Sequence, residues 1–418
     1  MTRSPVWHAF TQHGLEETIP VVARAEGAWL HGANGDRWID AISSWWVTTH
    51  GHANPRIMAA IREQTTQLDQ LIFAGWTHEP AEMLARSLIE ITPDSLRYCF
   101  FSDSGSTSVE VALKMALGYW RARKEPRHRI LVLEHSYHGD TIGAMSVGAR
   151  GVYNQAYAPL LFDVGTLPFP DMSGQNTLDA LDAACRADEK PAALIIEPLI
   201  CGAGGMLIYP ASVLADMRAV CAAHGVLFIA DEVMTGWGRT GTLFACEQAG
   251  ITPDIMCLSK GLTGGALPLA VTLATEAIYD AHYSTNRAEM FFHSSSYTAN
   301  PIACAAANAN LAIWADEPVR ERINTLTTRQ TERLVALTSP KLVNKRQLGT
   351  ITAMDVVSDT PGYLADIGPR MTAAFRSRGL LLRPLGNIIY VMPPYCITDD
   401  ELDVIYSAIS EVVESGFV

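Results

Sequence analysis

Short apolar runs separated by stretches of helical periodicity occupy the chain from about residue 55 to residue 295. Within these runs, hydrophobic residues do not alternate with polar ones, which favours parallel strands that are covered on both faces. We therefore predict an open α/β sheet with sites at the carboxyl ends of its strands. The predicted strands cover residues 98–101, 130–133, 193–196, 227–230, 255–258 and 269–273.

Capping residues mark several predicted helices. Asn54 precedes Pro55, a favourable residue for a first helical turn, and Thr398 forms a capping box with Glu401 before the last helix. Residues 79–91 show helical periodicity. These helices alternate with the predicted strands, as an α/β fold requires.

The two ends of the chain depart from this pattern. Short β-like segments occur around residues 28–30 and 38–39, and the C-terminal part reads as helix, strand, helix, strand pair and helix. We interpret residues 1–52 and 301–418 as two parts of one smaller α+β domain. Residues 53–300 then form the large domain.

Composition and charge narrow the possible partners. The chain has 418 residues, is 48% hydrophobic and carries a net charge of −13, which predicts a large core and argues against nucleic acid as the main partner. No stretch approaches the roughly 20 apolar residues of a membrane-spanning helix, and the first residues lack the apolar core of a signal peptide. The eight cysteines are scattered without a C-x-x-C pair, which favours the reducing cytoplasm, and we expect no metal site.

Three polar side chains follow predicted strands. Asp231 follows the fourth strand, Lys260 follows the fifth in a glycine-rich loop, and Tyr137 lies in the loop after the second. Each has a structural alternative, because an aspartate can cap a turn, a lysine can reach solvent and a tyrosine can pack in the core.

A serine- and glycine-rich turn, Ser104-Gly105-Ser106, connects the first predicted strand to a helix. Free amides at a helix N-terminus bind phosphate, although the serines could simply cap the helix. Together with the amine, the carboxylate and the aromatic ring, this turn matches the needs of pyridoxal phosphate. The amine forms a Schiff base, the carboxylate keeps the ring nitrogen protonated, and the aromatic side chain stacks on the ring.

Five ordered segments resemble the class III (subgroup II) aminotransferases. The resemblance extends over almost the whole chain and implies a pyridoxal-phosphate-dependent transferase of fold type I. That fold has a large domain with a mostly parallel central sheet and a smaller α+β domain, and its members form homodimers with active sites at the interface. The segments are SDSGSTSVEVALKMA, SYHGDTIGAMS, IIEPLICGAGGM, LFIADEVMTGWGRTG and PDIMCLSKGLTGG.

The resemblance also implies roles for single residues. Lys260 would be the Schiff-base lysine and proton shuttle, Asp231 would pair with the pyridine nitrogen, and Tyr137 would lie over the cofactor ring. The phosphate would be held by Ser104, Gly105 and Ser106, and by Ser295 and Ser296 from the other subunit.

Further segments, among them DAISSWWVTTHGHANP and LLRPLGNIIYVMPPY, are similar to the branch of the family that aminates 8-amino-7-oxononanoate to 7,8-diaminononanoate in biotin biosynthesis. This similarity implies that Trp45 and Trp46 line a channel for the long keto acid and that Arg383 binds its carboxylate. S-adenosylmethionine is the implied amino donor, with lysine as an alternative. Glu197 and Arg239 are expected near the site, unless they form a structural ion pair or cap a turn.

Two segments depart from the family pattern. Phe10 stands where a tyrosine is usual, so a hydroxyl is missing and the donor stays open. In the segment His293-Ser294-Ser295-Ser296-Tyr297, Ser296 keeps the hydroxyl of the usual threonine. Ser294 replaces a glycine and adds a side chain near the expected substrate path.

Other functions stay open to different degrees. The main alternative is a broad ω-amino acid or amine:pyruvate transaminase, and a racemase or aminomutase with the same cofactor is a further one. An acidic chain without a DNA-binding extension argues against a regulator built on this scaffold. A Rossmann nucleotide site is disfavoured, because Gly202, Gly204 and Gly205 do not have G-x-G-x-x-G spacing.

Overall fold

The computed structural model describes residues 4–15 and 19–416. Its strands are β1 (Val22–Glu26), β2 (Trp29–Gly32), β3 (Arg37–Asp40), β4 (Leu96–Ser102), β5 (Ile130–Leu133), β6 (Gly165–Leu167), β7 (Ala193–Ile196), β8 (Ile200–Cys201), β9 (Leu207–Ile208), β10 (Leu227–Asp231), β11 (Ile255–Leu258), β12 (Ala270–Thr275), β13 (Leu342–Leu348), β14 (Ile351–Val356), β15 (Leu380–Leu381) and β16 (Ile388–Val391). Its α-helices are α1 (Ser43–Trp46), α2 (Pro55–Gln64), α3 (Glu79–Ile91), α4 (Gly105–Ala122), α5 (Ile142–Ser146), α6 (Gln175–Arg186), α7 (Ala211–His224), α8 (Glu276–Asp280), α9 (Pro301–Asp316), α10 (Val319–Ala336), α11 (Ile367–Ser377) and α12 (Asp399–Glu414).

The central sheet has seven strands in the order β4-β12-β11-β10-β7-β5-β6. All six predicted strands are present, and β5, β7 and β11 have the predicted bounds. The prediction missed β6, which is only three residues long. The α/β fold class with a mostly parallel central sheet is therefore confirmed.

One strand runs against the predicted direction. The strand expected at residues 269–273 is β12, and it is antiparallel to both of its neighbours, β11 and β4. The connection from β11 contains only a short 3-10 turn, Lys260–Thr263. A parallel return needs a crossover of a dozen or more residues, usually a helix, so this connection brings the chain back antiparallel.

Both faces of the parallel strands are covered, as the apolar runs predict. Ile130 and Val132 of β5 pack with Val109 and Trp120 of α4 on one face. The alternate residues of the same strand belong to a second cluster, which includes Leu181 of α6 and Met217 of α7 on the other face. The sheet is thus the middle layer of three.

The predicted helix caps are present. The Asn54 side chain accepts hydrogen bonds from the first-turn amides of α2, and α3 has the predicted bounds. At α12, the Thr398 amide donates to Glu401 Oε2 (2.8 Å), and the Glu401 amide donates to Thr398 Oγ1 (3.3 Å). These reciprocal bonds form the expected capping box.

The two ends of the chain meet in one sheet. Strand β15 pairs in parallel with β3 in the sheet β1-β2-β3-β15, and β13-β14-β16 forms a separate sheet beside it. Helix α9 packs against α2, α3 and the 3-10 turn at Lys260.

The domain bounds 1–52, 53–300 and 301–418 stay a prediction. In the described part of the chain, no helix is both long and apolar enough to cross a bilayer.

Phe228 in the central strand β10 provides a test of this layer packing. Its side chain is completely buried, so Phe228→Ala should lower the free energy of unfolding by about 3–5 kcal/mol in a urea titration. Phe162→Ala removes the same atoms from a side chain that is 45% exposed, and it should cost less than about 1 kcal/mol. Equal losses in the two variants would contradict the described core.

Candidate functional site

A cavity of about 410 Å³ lies at the carboxyl ends of β10 and β11. It brings together residues from distant parts of the chain, as expected for the edge of an open α/β sheet. The predicted site residues that line it are Phe10, Trp45, Trp46, Ser104, Gly105, Ser106, Tyr137, Glu197, Asp231, Lys260 and Arg383.

Lys260 is separated from the end of β11 by Ser259 alone and begins the 3-10 turn with φ +47°. The side-chain amide of Asn310 in α9 holds this turn by donating to the carbonyls of Gly261 (3.1 Å) and Leu262 (3.0 Å). The Lys260 Nζ atom lies 4.6 Å from the centre of the Trp46 ring. Burial lowers the pKa of Lys260 to about 8, although two nearby carboxylates favour its charged form.

Asp231 is the last residue of β10, where it pairs in register with Cys257 of β11. Its Oδ2 atom lies 2.7 Å from His138 Nδ1, and its Oδ1 accepts a hydrogen bond from the Val233 amide (3.1 Å). His138 Nε2 is buried and has no hydrogen-bond partner among the described residues. The histidine therefore orients the carboxylate from the loop that also carries Tyr137.

The N-terminus of α4 forms a narrow cradle. Ser104 caps the helix in a reciprocal pair with Thr107, and the first-turn amides of Gly105 and Ser106 have no intrahelical acceptor. A Cβ atom on Gly105 would lie 2.7 Å from Val233 Cγ1, and one on Gly139 would collide with Ser106 Oγ. The glycines thus allow Val233 and the loop of Gly139 to pack closely against the start of α4, whose free amides can bind an anionic group.

Glu197 is buried at the cavity wall and accepts two backbone hydrogen bonds. Its Oε1 binds the Tyr137 amide (2.9 Å) and its Oε2 binds the Gly202 amide (2.9 Å). Burial raises the pKa of Glu197 to about 7, and the neighbouring Asp231 carboxylate acts in the same direction. Glu197 thus both faces the site and fixes the loop of Tyr137. Burial also raises the pKa of Tyr137 itself.

Arg239 does not line the cavity. Its guanidinium is completely buried and donates to the carbonyls of Thr48 (3.0 Å) and Pro393 (3.1 Å). The sequence left open a structural ion pair or a turn cap for Arg239. Among the described residues Arg239 forms no ion pair, and its guanidinium binds loop carbonyls. The burial lowers its pKa.

A buried carboxylate holds the short α1 segment that carries the two tryptophans, whose backbone departs from regular helical geometry. Asp40 accepts hydrogen bonds from the Ser44 amide (2.8 Å) and hydroxyl (2.9 Å) and lies 2.8 Å from His52 Nε2. Ser43, Ser44 and Trp46 have positive φ angles. Such backbone is uncommon outside glycine and persists where the surroundings hold it.

The far wall of the cavity is aromatic and cationic. The rings of Phe10 and Trp45 are 5.5 Å apart, and the Arg383 guanidinium lies 5.8 Å from the first and 5.5 Å from the second. Trp46 is buried instead, and its indole N–H donates to the Tyr390 hydroxyl (3.0 Å). Trp45 therefore borders the open part of the cavity, and Trp46 borders the lysine.

Three predicted residues do not reach the cavity of their own chain. Ser294, Ser295 and Ser296 do not line it, and the Ser295 hydroxyl donates instead to Asp103 Oδ2 (2.8 Å). Asp103 immediately precedes the Ser104 cap of α4. These serines thus lie close to the cradle but outside the cavity.

Five cavity residues with polar side chains were not predicted from the sequence: Ser44, His138, Tyr153, Tyr363 and Tyr390. His138 stands next to Tyr137 in a recognised segment, so its position carried a signal. Tyr390 lies in the C-terminal segment quoted for the family resemblance. Tyr153 and Tyr363 lie in loops without a motif, and only the folded chain brings them to the site.

Comparisons with known proteins identify a family and several similar chains. The family model described as aminotransferase class-III matches residues 10–413. A protein of Synechococcus elongatus named adenosylmethionine-8-amino-7-oxononanoate aminotransferase is 49% identical over 98% of both chains, and one of the same name from Geobacter sulfurreducens is 38% identical over 99% of this chain and 96% of its own.

Solved structures show the same similarity. The enzyme of that name from Methanocaldococcus jannaschii superposes with a TM-score of 0.94 at 33% identity, covering 98% of this chain and 97% of its own. A pyridoxal-phosphate-bound amine transaminase from an uncultivated Pseudomonas species has a TM-score of 0.93 at 33% identity over the whole of both chains.

The lowered pKa of Lys260 can be measured by site-resolved acetylation. In protein stripped of bound small molecules, the acetylation rate at this residue should rise with pH and reach half its plateau near pH 8, because only the neutral amine reacts. Glu197→Gln should move the midpoint lower, since the Glu197 carboxylate favours the charged amine. A midpoint near the ordinary lysine value of about 10.4 would contradict the described burial.

Proposed function

This chain belongs to the class III aminotransferases, which use pyridoxal phosphate, and from that premise we propose that it aminates 8-amino-7-oxononanoate to 7,8-diaminononanoate in biotin biosynthesis. S-adenosylmethionine is the proposed amino donor. The observation that carries the proposal is a single cavity with an amine, a carboxylate and an amide cradle at one end and a guanidinium behind aromatic rings at the other.

The described residues fit the cofactor. The phosphate would bind at the free amides of the first turn of α4, with help from Ser104 and Ser106. Asp231 would accept a hydrogen bond from the protonated ring nitrogen, and Tyr137 would cover the ring. When bound, pyridoxal phosphate supplies a carbonyl carbon that takes up the amino group and a ring that withdraws electrons from the reacting carbon.

Lys260 would hold the cofactor and then move protons. An amine with a pKa of about 8 can lose its proton near neutral pH, so Lys260 Nζ can take up the proton that leaves the donor carbon and, in the second half of the reaction, deliver a proton to the acceptor carbon. The Asp231 carboxylate is held by His138 and the Val233 amide, and these contacts keep it oriented toward the cavity.

The far wall suits a long aliphatic carboxylate. Phe10 and Trp45 offer apolar surface, and Arg383 has no carboxylate partner among the described residues. A guanidinium without an anion at the end of an apolar channel is suited to a substrate carboxylate, which it can bind through two parallel hydrogen bonds. Phe10 lacks the hydroxyl usual at its position, so the keto acid would be held there by packing alone.

A second candidate function is a broad amine or ω-amino acid transaminase. The observation that favours it is the likeness to a solved amine transaminase over the whole chain. Trp45 is also 46% exposed, which leaves the outer part of the cavity open to other substrates. The two functions differ in the acceptors that they turn over.

We further propose that the active form is a homodimer in which Ser295 and Ser296 complete the phosphate site of the other subunit. The position of these serines beside the cradle but outside their own cavity supports this. Large apolar side chains nearby are exposed in the single chain and could be covered by a partner: Ile72, Trp76, Phe292 and Tyr297. A cytoplasmic location is part of the proposal, supported by eight cysteines that are all free thiols.

The proposed reaction is tested by incubating the purified enzyme with 8-amino-7-oxononanoate and, in separate reactions, S-adenosylmethionine, lysine or alanine. Diaminononanoate should form fastest with S-adenosylmethionine, as measured by mass spectrometry. Lys260→Ala should lower the rate by at least about 1,000-fold and abolish the visible absorbance of the bound cofactor. If a parallel reaction with an amine donor and pyruvate turns over rapidly while 8-amino-7-oxononanoate is not aminated, the amine transaminase is established instead.

The shared site is tested by mixing two impaired variants at a cofactor concentration that saturates the wild type but not Ser296→Asp. Ser296→Asp should weaken cofactor binding by at least about 10-fold, because a carboxylate would repel the phosphate, and Lys260→Ala removes the reactive amine. A mixed dimer of the two variants contains one intact site, so unfolding and refolding them together should restore up to roughly a quarter of the wild-type activity. If each variant stays inactive after mixing although mixed dimers form, the serines do not act across the interface.

A further inference from the structure

Tyr363 is a cavity residue to which no motif points. It lies in the connection between β14 and α11, within residues 357–366. Two hydrogen bonds of the Asn387 side chain fix this connection. Its Oδ1 accepts a hydrogen bond from the Gly362 amide (2.8 Å), and its Nδ2 donates one to the Val356 carbonyl (3.0 Å). Because Asn387 is 7% exposed, the anchor is shielded from water, and the tyrosine has a defined position.

The Tyr363 side chain makes two contacts at the far wall. Its ring centre lies 4.6 Å from that of Tyr153, and its hydroxyl oxygen accepts a hydrogen bond from Arg383 Nη2 (3.2 Å). The same nitrogen lies 3.4 Å from the Phe10 carbonyl, which is a weaker contact. Tyr363 is thus the closer of the two polar groups that fix the guanidinium.

The direction of this hydrogen bond matters for recognition. A guanidinium can only donate, so the Tyr363 oxygen is the acceptor and its own O–H stays free to donate. The remaining N–H groups of Arg383 and this O–H are then two donor sources at one end of the cavity. A carboxylate accepts from both at once, whereas a neutral ester binds them more weakly.

We propose that Tyr363 is a specificity-determining residue: it positions the Arg383 guanidinium and donates its hydroxyl hydrogen to the terminal carboxylate of the substrate. This inference rests on the proposed function, because it assumes that a long monocarboxylate enters the cavity. It assigns carboxylate recognition to an arginine–tyrosine pair instead of the arginine alone.

Tyr363→Phe tests the pair, since it removes one oxygen and keeps the ring that packs on Tyr153. The KM for 8-amino-7-oxononanoate should rise about 10- to 100-fold, with kcat and the KM of the donor within about 3-fold of wild type. The KM of the methyl ester of the keto acid should change less than about 3-fold. Tyr157→Phe, which removes a hydroxyl from a half-exposed side chain, is the matched control and should match wild type.

A double-mutant cycle separates pairing from general damage. After Arg383→Ala has raised the KM for the acid, adding Tyr363→Phe should raise it by much less than in the wild-type background, because the two groups act on one carboxylate. Equal effects of Tyr363→Phe on acid and ester, or full additivity with Arg383→Ala, would overturn the proposal.

Binding of nonanoate to the holoenzyme distinguishes this inference from the proposed function. Nonanoate has the chain length and carboxylate of the substrate but undergoes no reaction, so its Kd reports on the far wall alone. Tyr363→Phe should weaken nonanoate binding at least about 10-fold, even if the enzyme proves to aminate another acceptor. An unchanged Kd would exclude the tyrosine from carboxylate recognition, whatever the acceptor is.

Discussion

The burial of one amine at the end of β11 is the constraint on which the site depends. Removing the Lys260 ammonium from water disfavours its charge, and the Asp231 and Glu197 carboxylates limit that effect, so its pKa falls only to about 8. The Asp231 carboxylate is held by the His138 ring, and the Glu197 carboxylate accepts hydrogen bonds from the Tyr137 and Gly202 amides. The loops around the cavity are therefore hydrogen-bonded to the two carboxylates that influence the pKa of Lys260.

The substrate side of the cavity is built differently, from aromatic rings and one cation. Trp45 and Trp46 come from a loop whose positive-φ backbone is held by the buried Asp40, and Arg239 binds carbonyls of the same region from inside the protein. The buried Asp40 and Arg239 thus support the site indirectly, because each hydrogen-bonds backbone groups of a segment that lines the cavity. This arrangement explains why Arg239 lies near the site without facing it.

Much of the fold was predictable because its signals are local. Apolar runs of strand length, capping residues such as Asn54 and Thr398, and glycines at the α4 cradle depend on near neighbours in the chain. The direction of β12 was predicted wrongly, since strand direction depends on the connection and not on the composition of the strand. The residues that the cavity takes from distant loops, Tyr153 and Tyr363, had no local signal at all.

The sequence by itself determined the family, the cofactor and the positions of the amine, carboxylate and cradle, because these follow strands in fixed order and carry ordered motifs. Tertiary structure alone decided that His138 supports Asp231, that Arg239 binds carbonyls, and that Tyr363 contacts Arg383 across 20 residues of chain. The physical reason is that hydrogen bonds and burial depend on distances between side chains. Those distances are set only when the sheets and loops pack together.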